Sequence, residues 1–369
     1  MQRIQIRWFS DFLHDVDLSR LGRVETAMWE QVIVLLIERR HWRYADLKPL
    51  IRDRPLLARS VRHVREVACV RDIQHFTNLR NVVFDDCGSE PMDLGCFGQL
   101  TTLRFRSESV GCVTRLPPTL THLDLSGYPI LLTQFVLSPP PPLQFIGFGT
   151  NLCEVVRPGS LPASVHSISF YAGCTQFEPL ALEGVSRLTI IGHSSHALTQ
   201  AELPTTLVEL EIVWGNMCLD AIVLPKLHKL CLGSDFNRLI QHACLPDSLQ
   251  VLLFGDQFNH PLPPLPPNLR YLRLGQDFNQ PFSADQSKLH TLLFGSGFRH
   301  IVEIPQTVKV LALGNGLTQR FPTELCWLSF TQLPTVMPVV PMTLLELWDG
   351  GEKVDLVTLR SASATRATS

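Results

Sequence analysis

The sequence predicts a mainly β fold with an α+β fringe: a right-handed solenoid on one parallel sheet, with an N-terminal helical cap. Three observations carry that reading. A Leu-x-x-Leu-x-Leu phrase recurs at intervals of 17 to 23 residues. Apolar residues inside the phrase alternate with polar ones, the period of a strand with one buried face. Pro and Gly punctuate the phrase at fixed offsets. The stretch "LPDSLQVLLFGDQFNHPLPPLPPNLRYLRLGQDFNQPF", Leu245 to Phe282, says nearly the same thing twice.

With the first Leu as anchor, units begin at Leu79, Leu100, Leu120, Leu143, Val165, Val185, Leu207, Leu227, Leu249, Leu269, Leu289, Val308, Leu325 and Leu344. The fourth position is apolar in all fourteen units, from Val82 to Leu347. The sixth is apolar in all but the last, where Asp349 stands. No unit is long enough to bury its apolar face alone, so each must stack on its neighbours. Fourteen strands arriving in one direction, about 4.8 Å apart, extend roughly 65 Å along the stack. The general rule for parallel crossovers makes the winding right-handed.

The punctuation fits a chain that leaves the sheet and returns. Gly149, Gly233, Gly255, Gly275, Gly295 and Gly314 follow the strands, where a left-handed or tight backbone is expected. Leu116-Pro117, Leu161-Pro162, Leu203-Pro204, Leu245-Pro246, Leu265-Pro266 and Ile304-Pro305 precede their anchors by four residues and stiffen the approach. Phe236, Phe258, Phe278 and Phe298 form a second apolar spine on the return side. Asn237, Asn259 and Asn279 beside them can bond backbone groups that the turns leave unpaired.

"GSDFNRLI", "GDQFNHPL" and "GQDFNQPF" closely resemble the FNIP repeat, a relative of leucine-rich repeats; the likeness is clearest from Leu203 to Phe321. The looser leucine-rich-repeat pattern covers about residues 64–348. The resemblance implies an interaction scaffold rather than an enzyme. "FLHDVDLSRLGRVETAMWEQVI", Phe12 to Ile33, resembles an F-box through Leu13, Leu18, Leu21, Val24 and Trp29. It lacks the usual Leu-Pro opening, and Val24 to Trp29 is one residue longer than usual. An F-box would dock a Skp-type adaptor of a cullin ubiquitin ligase. The alternative is a helical cap over the first exposed rung. The expected organisation is therefore 1–60 helical, F-box-like or capping; 61–348 solenoid; and 349–369 C-terminal cap and disordered tail.

Bulk properties exclude other classes. Hydrophobic content of 45% rules out wholesale disorder, and a net charge of −2 suggests no nucleic-acid partner. Residues 1–110 hold 17 of the 32 Lys and Arg, but acids alternate with them as on solvated helix faces. The ten cysteines are scattered singly without a CxxC pair, which favours reduced thiols in an intracellular protein, cytoplasmic or nuclear. "VIVLLI" at 32–37 is too short to span a bilayer.

No constellation points to catalysis, a metal or a cofactor. "GHSSH", Gly192 to His196, is neither a nucleophile elbow nor a spaced ligand set and is read as a surface loop. "GSG" at 295–297 and "GNG" at 314–316 lack the Lys and following helix of a phosphate loop. "SPPPP", Ser138 to Pro142, is read as an enlarged loop rather than a polyproline ligand.

What remains is a surface. Positions three and five of each unit point away from the core. Early units place His122, Asp124, Ser167, Ser169, Arg187, Thr189, Glu209 and Glu211 there. Later ones place Val251, Leu253, Tyr271, Arg273, Leu293, Val310, Ala312 and Trp327, unusually apolar for an open strand face. Tyr271 and Trp327, with Arg273 adjacent to Tyr271, have the composition of an interface hot spot. A protein partner across this strip is the expectation; cover by residues 332–358, or by a packed loop, is the alternative.

Overall fold

The structure is a computed structural model. It describes residues 41–53, 55–85, 91–106, 113–127, 141–150, 155–171, 176–192, 203–219, 222–241, 245–283, 288–315, 320–332 and 340–356. The F-box-like residues Leu13, Leu18, Leu21, Val24 and Trp29 lie outside these, as do His193, His196 and the tail from 357.

Strand β1 (His41–Arg43) leads into helix α1 (Tyr44–Asp53) and a 3-10 turn (Pro55–Ser60), then β2 (His63–Val67). A short α2 (Val70–Ile73) precedes β3 (Asn81–Phe84), β4 (Met92–Asp93), β5 (Thr102–Phe105), β6 (Val113–Arg115) and β7 (His122–Leu125). Next come β8 (Phe145–Phe148), β9 (Val155–Val156), β10 (Ser167–Tyr171), β11 (Gln176–Phe177) and β12 (Arg187–Ile191). One strand per unit then follows: β13 (Glu209–Ile212), β14 (Lys229–Leu232), β15 (Val251–Phe254), β16 (Tyr271–Arg273) and β17 (Thr291–Leu293). The last are β18 (Val310–Ala312), β19 (Trp327–Phe330), β20 (Glu346–Asp349) and β21 (Glu352–Lys353).

Seventeen of these strands form one sheet. It is parallel from β1 to β20, and β21 closes it as an antiparallel hairpin through Gly350 and Gly351, at φ 57° and 93°. β4 with β6, and β9 with β11, pair in parallel as separate short sheets. The molecule is thus a mainly β, parallel-sheet solenoid with few helices. All fourteen anchors lead into rungs of the main sheet. Its register is that of the repeat: Leu210, Leu230, Leu252, Leu272, Leu292, Leu311 and Leu328 are consecutive partners in one inward column. Anchors, fourth positions and the thirteen apolar sixth positions are all buried, so three aliphatic or aromatic columns share one interior.

The prolines act through their carbonyls. Those of Pro117, Pro162, Pro204, Pro246, Pro266 and Pro305 each accept the anchor N–H three residues on, at 2.9 to 3.2 Å. This is a turn that delivers the chain into the strand.

The sheet also reaches further back than the repeat count. β1 and β2 are rungs, and α1 packs against both of them. β2 escapes the pattern because it bulges: Val64 pairs with Val82 but Val67 pairs with Phe84. Glu66 occupies the position where the repeat wants an apolar side chain, and the extra residue restores Val67 to the interior.

One expectation is corrected. Of the six glycines expected in left-handed or tight turns, only Gly314 has a positive φ, 58°. The others serve approach. A Cβ on Gly255 would overlap the Gly233 carbonyl, one on Gly275 that of Gly255, and one on Gly295 that of Gly275. The glycines stack on each other because the backbone leaves no room for a side chain between rungs.

Candidate interaction surface

The return side of the repeat is structural. Phe236, Phe258, Phe278 and Phe298 are buried, with successive ring centroids 6.0 to 6.1 Å apart and planes within 23°. Two inner rings add to it: Phe254 lies 4.0 Å from Phe258, and Phe294 lies 4.0 Å from Phe298. Beside the spine runs a ladder of side-chain amides. Asn216 Oδ1 accepts the Asn237 N–H at 3.0 Å, Asn237 that of Asn259 at 3.1 Å, Asn259 that of Asn279 at 2.9 Å, and Asn279 that of Arg299 at 3.1 Å. Each oxygen therefore satisfies a backbone donor one repeat further on. Asn216 was not foreseen, because its local order is Asn-Met rather than Phe-Asn. Asn259→Ala leaves the Asn279 N–H without its acceptor and should lower stability by about 1 kcal/mol. Binding of a partner to the sheet should not change. A denaturant titration beside a binding assay checks both.

The opposite face carries the variable side chains in two columns. Lys229, Val251, Tyr271, Thr291, Val310, Trp327 and Glu346 are consecutive partners in one. Cys231, Leu253, Arg273, Leu293, Ala312, Ser329 and Trp348 make the other. The structure thus brings Val251, Leu253, Tyr271, Arg273, Leu293, Val310 and Trp327 together on five adjacent rungs. Arg273 is exposed and the other six are half-buried, while Thr291 between them is buried. Residues 340–356 continue the sheet as β20 and its hairpin instead of folding back over the strip.

The strip is bounded chemically at both ends. At one end Glu346 accepts from Lys353 Nζ at 2.8 Å and from Trp348 Nε1 at 3.1 Å. These bonds, first that to Lys353 and then that to Trp348, hold its carboxyl below the usual range, with a further contribution from Trp327. At the other end lie Cys231 and the acids Glu209 and Glu211. Burial pushes the Cys231 thiol up to about 11, so it stays protonated and is no nucleophile at neutral pH. Further back the face is polar, with ion pairs between Arg187 and Glu209 at 3.1 Å and between Arg104 and Asp124 at 2.7 Å.

At the N-terminal end the columns become basic, which the sequence did not reveal. β1 pairs with β2 so that His41 lies on His63 and Arg43 on Arg65. Among the described residues, no three His, Cys, Asp or Glu side chains are grouped to hold a metal ion, and no helix is long and apolar enough to cross a membrane.

Residues 195–257 and 258–316 match the family model of the FNIP Repeat. Among solved structures, the chain is similar to CroV588, described as a novel circular LRR protein, with a TM-score of 0.50 and 18% identity. That alignment covers 80% of this chain and 57% of CroV588, so the chain spans little more than half its relative's length. At this identity the likeness is one of fold alone. YopM from Yersinia enterocolitica WA-314 gives a TM-score of 0.32 at 15% identity, over 78% of this chain and 81% of that one, too loose to bear on the fold. No curated protein matches the chain.

Proposed function

We propose that the chain is a non-catalytic scaffold that holds a protein partner across the open face of β15–β19. The observation that carries this reading is the register of Val251, Tyr271, Val310 and Trp327 beside Leu253, Arg273 and Leu293. An apolar strip with aromatic anchors and one exposed guanidinium has the make-up of an interface centre. LRR-like folds of this kind suit protein partners, since the rungs offer a continuous platform. Anchors of this type contribute about 2 kcal/mol or more each to an interface. Tyr271→Ala with Trp327→Ala should therefore abolish recovery of the partner in a quantitative pull-down, with the unfolding midpoint retained. Undiminished recovery by the folded double variant would remove the proposal.

A finer reading adds the N-terminus. Leu13, Leu18, Leu21, Val24 and Trp29 would dock a Skp-type adaptor, and the open face would select the target for ubiquitination. Its support is the F-box resemblance of residues 12–33. The competing reading is a plain structural or interaction repeat protein whose N-terminus is a cap. Co-purification separates the two. An adaptor that accompanies the wild type and is lost in folded Leu18→Asp with Leu21→Asp favours the ligase reading; a wild type without adaptor favours the plain scaffold.

A further inference from the structure

Among the described residues, the N-terminal end of the open face sets two arginines against one carboxylate. Arg43 and Arg65 are direct cross-strand partners, an arrangement in which like charges repel. Both are solvent-accessible, at 57% and 41% of the side chain. They share one carboxylate oxygen: Glu66 Oε1 lies 3.3 Å from Arg43 Nε and 4.0 Å from Arg65 Nε. The longer distance is no hydrogen bond, and Arg65 Nε is a buried donor atom without a partner.

The adjoining column holds a second unpartnered nitrogen. His41 and His63 stack with ring centroids 4.6 Å apart. His63 Nδ1 is likewise buried without a partner, although Asn81 is its neighbour on β3. Burial first, then His41, Arg80 and Arg62, hold the His63 ring below its usual range. Two rungs beyond β2, by contrast, Arg104 is matched by Asp124 at 2.7 Å. Among the described residues, β1 and β2 carry Arg43 and Arg65 against the single carboxylate of Glu66.

Backbone geometry supports a site here. Glu66 stands in the β2 bulge at φ 57°, a conformation that side chains other than Gly rarely adopt. The bulge brings the Glu66 carboxylate alongside the arginines, and this carboxylate shows which ligand the pair accepts. A second one can approach Arg65 through the part of its side chain that solvent reaches, although Nε itself is enclosed.

We infer that the paired arginines on β1 and β2 bind a carboxylate side chain of an acidic, Asp/Glu-rich segment of a protein partner. The site is separate from the apolar strip, and neither depends on the other. It is not a general attraction for polyanions, because the chain as a whole carries a net charge of −2.

Fluorescence anisotropy of a labelled octaglutamate peptide, titrated with the full chain at low ionic strength, tests the assignment. The wild type should bind saturably, and added salt should weaken it. Arg43→Ala with Arg65→Ala should lose about tenfold or more in affinity. Tyr271→Ala with Trp327→Ala should bind the peptide as the wild type does, so failure of either site is seen by itself. The arginine variant should unfold at a midpoint close to that of the wild type, because the repulsion it removes is offset by loss of the Arg43–Glu66 pair; if it is unfolded, the single Arg65→Gln variant replaces it. Equal binding by the variant, no saturable binding by the wild type, or tighter binding of an oligonucleotide of equal charge would overturn the assignment.

Discussion

Phe258→Ala should destabilise the protein by about 3 to 5 kcal/mol, the range for removing a fully buried aromatic ring. Phe258 is fully buried and touches the spine in three directions: Phe236 at 6.1 Å, Phe278 at 6.0 Å and Phe254 at 4.0 Å. Its loss opens a cavity between two rungs, and neither rung can close it without leaving register. In a stacked array each unit contacts only its neighbours, so the damage falls on one inter-repeat junction. Urea unfolding should show a lower midpoint and a broadened or split transition. A loss below about 1 kcal/mol would mean that the spine does not couple the repeats.

The second large effect is expected at a residue with no side chain. Gly275→Ala places a methyl where the Gly255 carbonyl stands. Backbone cannot step aside as a flexible side chain can, so the rungs must part, at a penalty of about 3 kcal/mol. Gly98 is the control. A Cβ there meets nothing within 4 Å, so Gly98→Ala should stay within about 0.5 kcal/mol of the wild type. Equal stability of the two variants would refute close approach as the role of the glycine column.

The inward columns were legible in the sequence because burial imposes a strict period, and fourteen repetitions of it leave no competing pattern. The aromatic spine and the amide ladder were legible for the same reason. What escaped depends on distances between units rather than on order within one. The glycines looked like turn residues, since the sequence says nothing of the clearance between successive backbones. Asn216 escaped because the ladder needs an oxygen at one place in space, and a different local order can supply it. β2 escaped because the bulge moves Val67 by one position and leaves Glu66 in the expected apolar slot. β1 offers only Trp42 as an inward residue, too little to reveal a period.

The candidate strip was legible as a set of outward positions, since alternation fixes which residues leave the core. The basic end was not. Arg43 and Arg65 are separated in sequence by a helix and a 3-10 turn, and only strand pairing sets them side by side.

A rung shows two side chains on the open face, whereas its remaining residues are bound to the frame. Val251 and Leu253 on β15 stand where Glu209 and Glu211 stand on β13, yet the interiors behind them are built alike. The buried columns therefore stay the same while the outward pair changes from acidic to apolar. Exchanging such outward pairs between rungs would alter the open face while leaving the buried columns as they are.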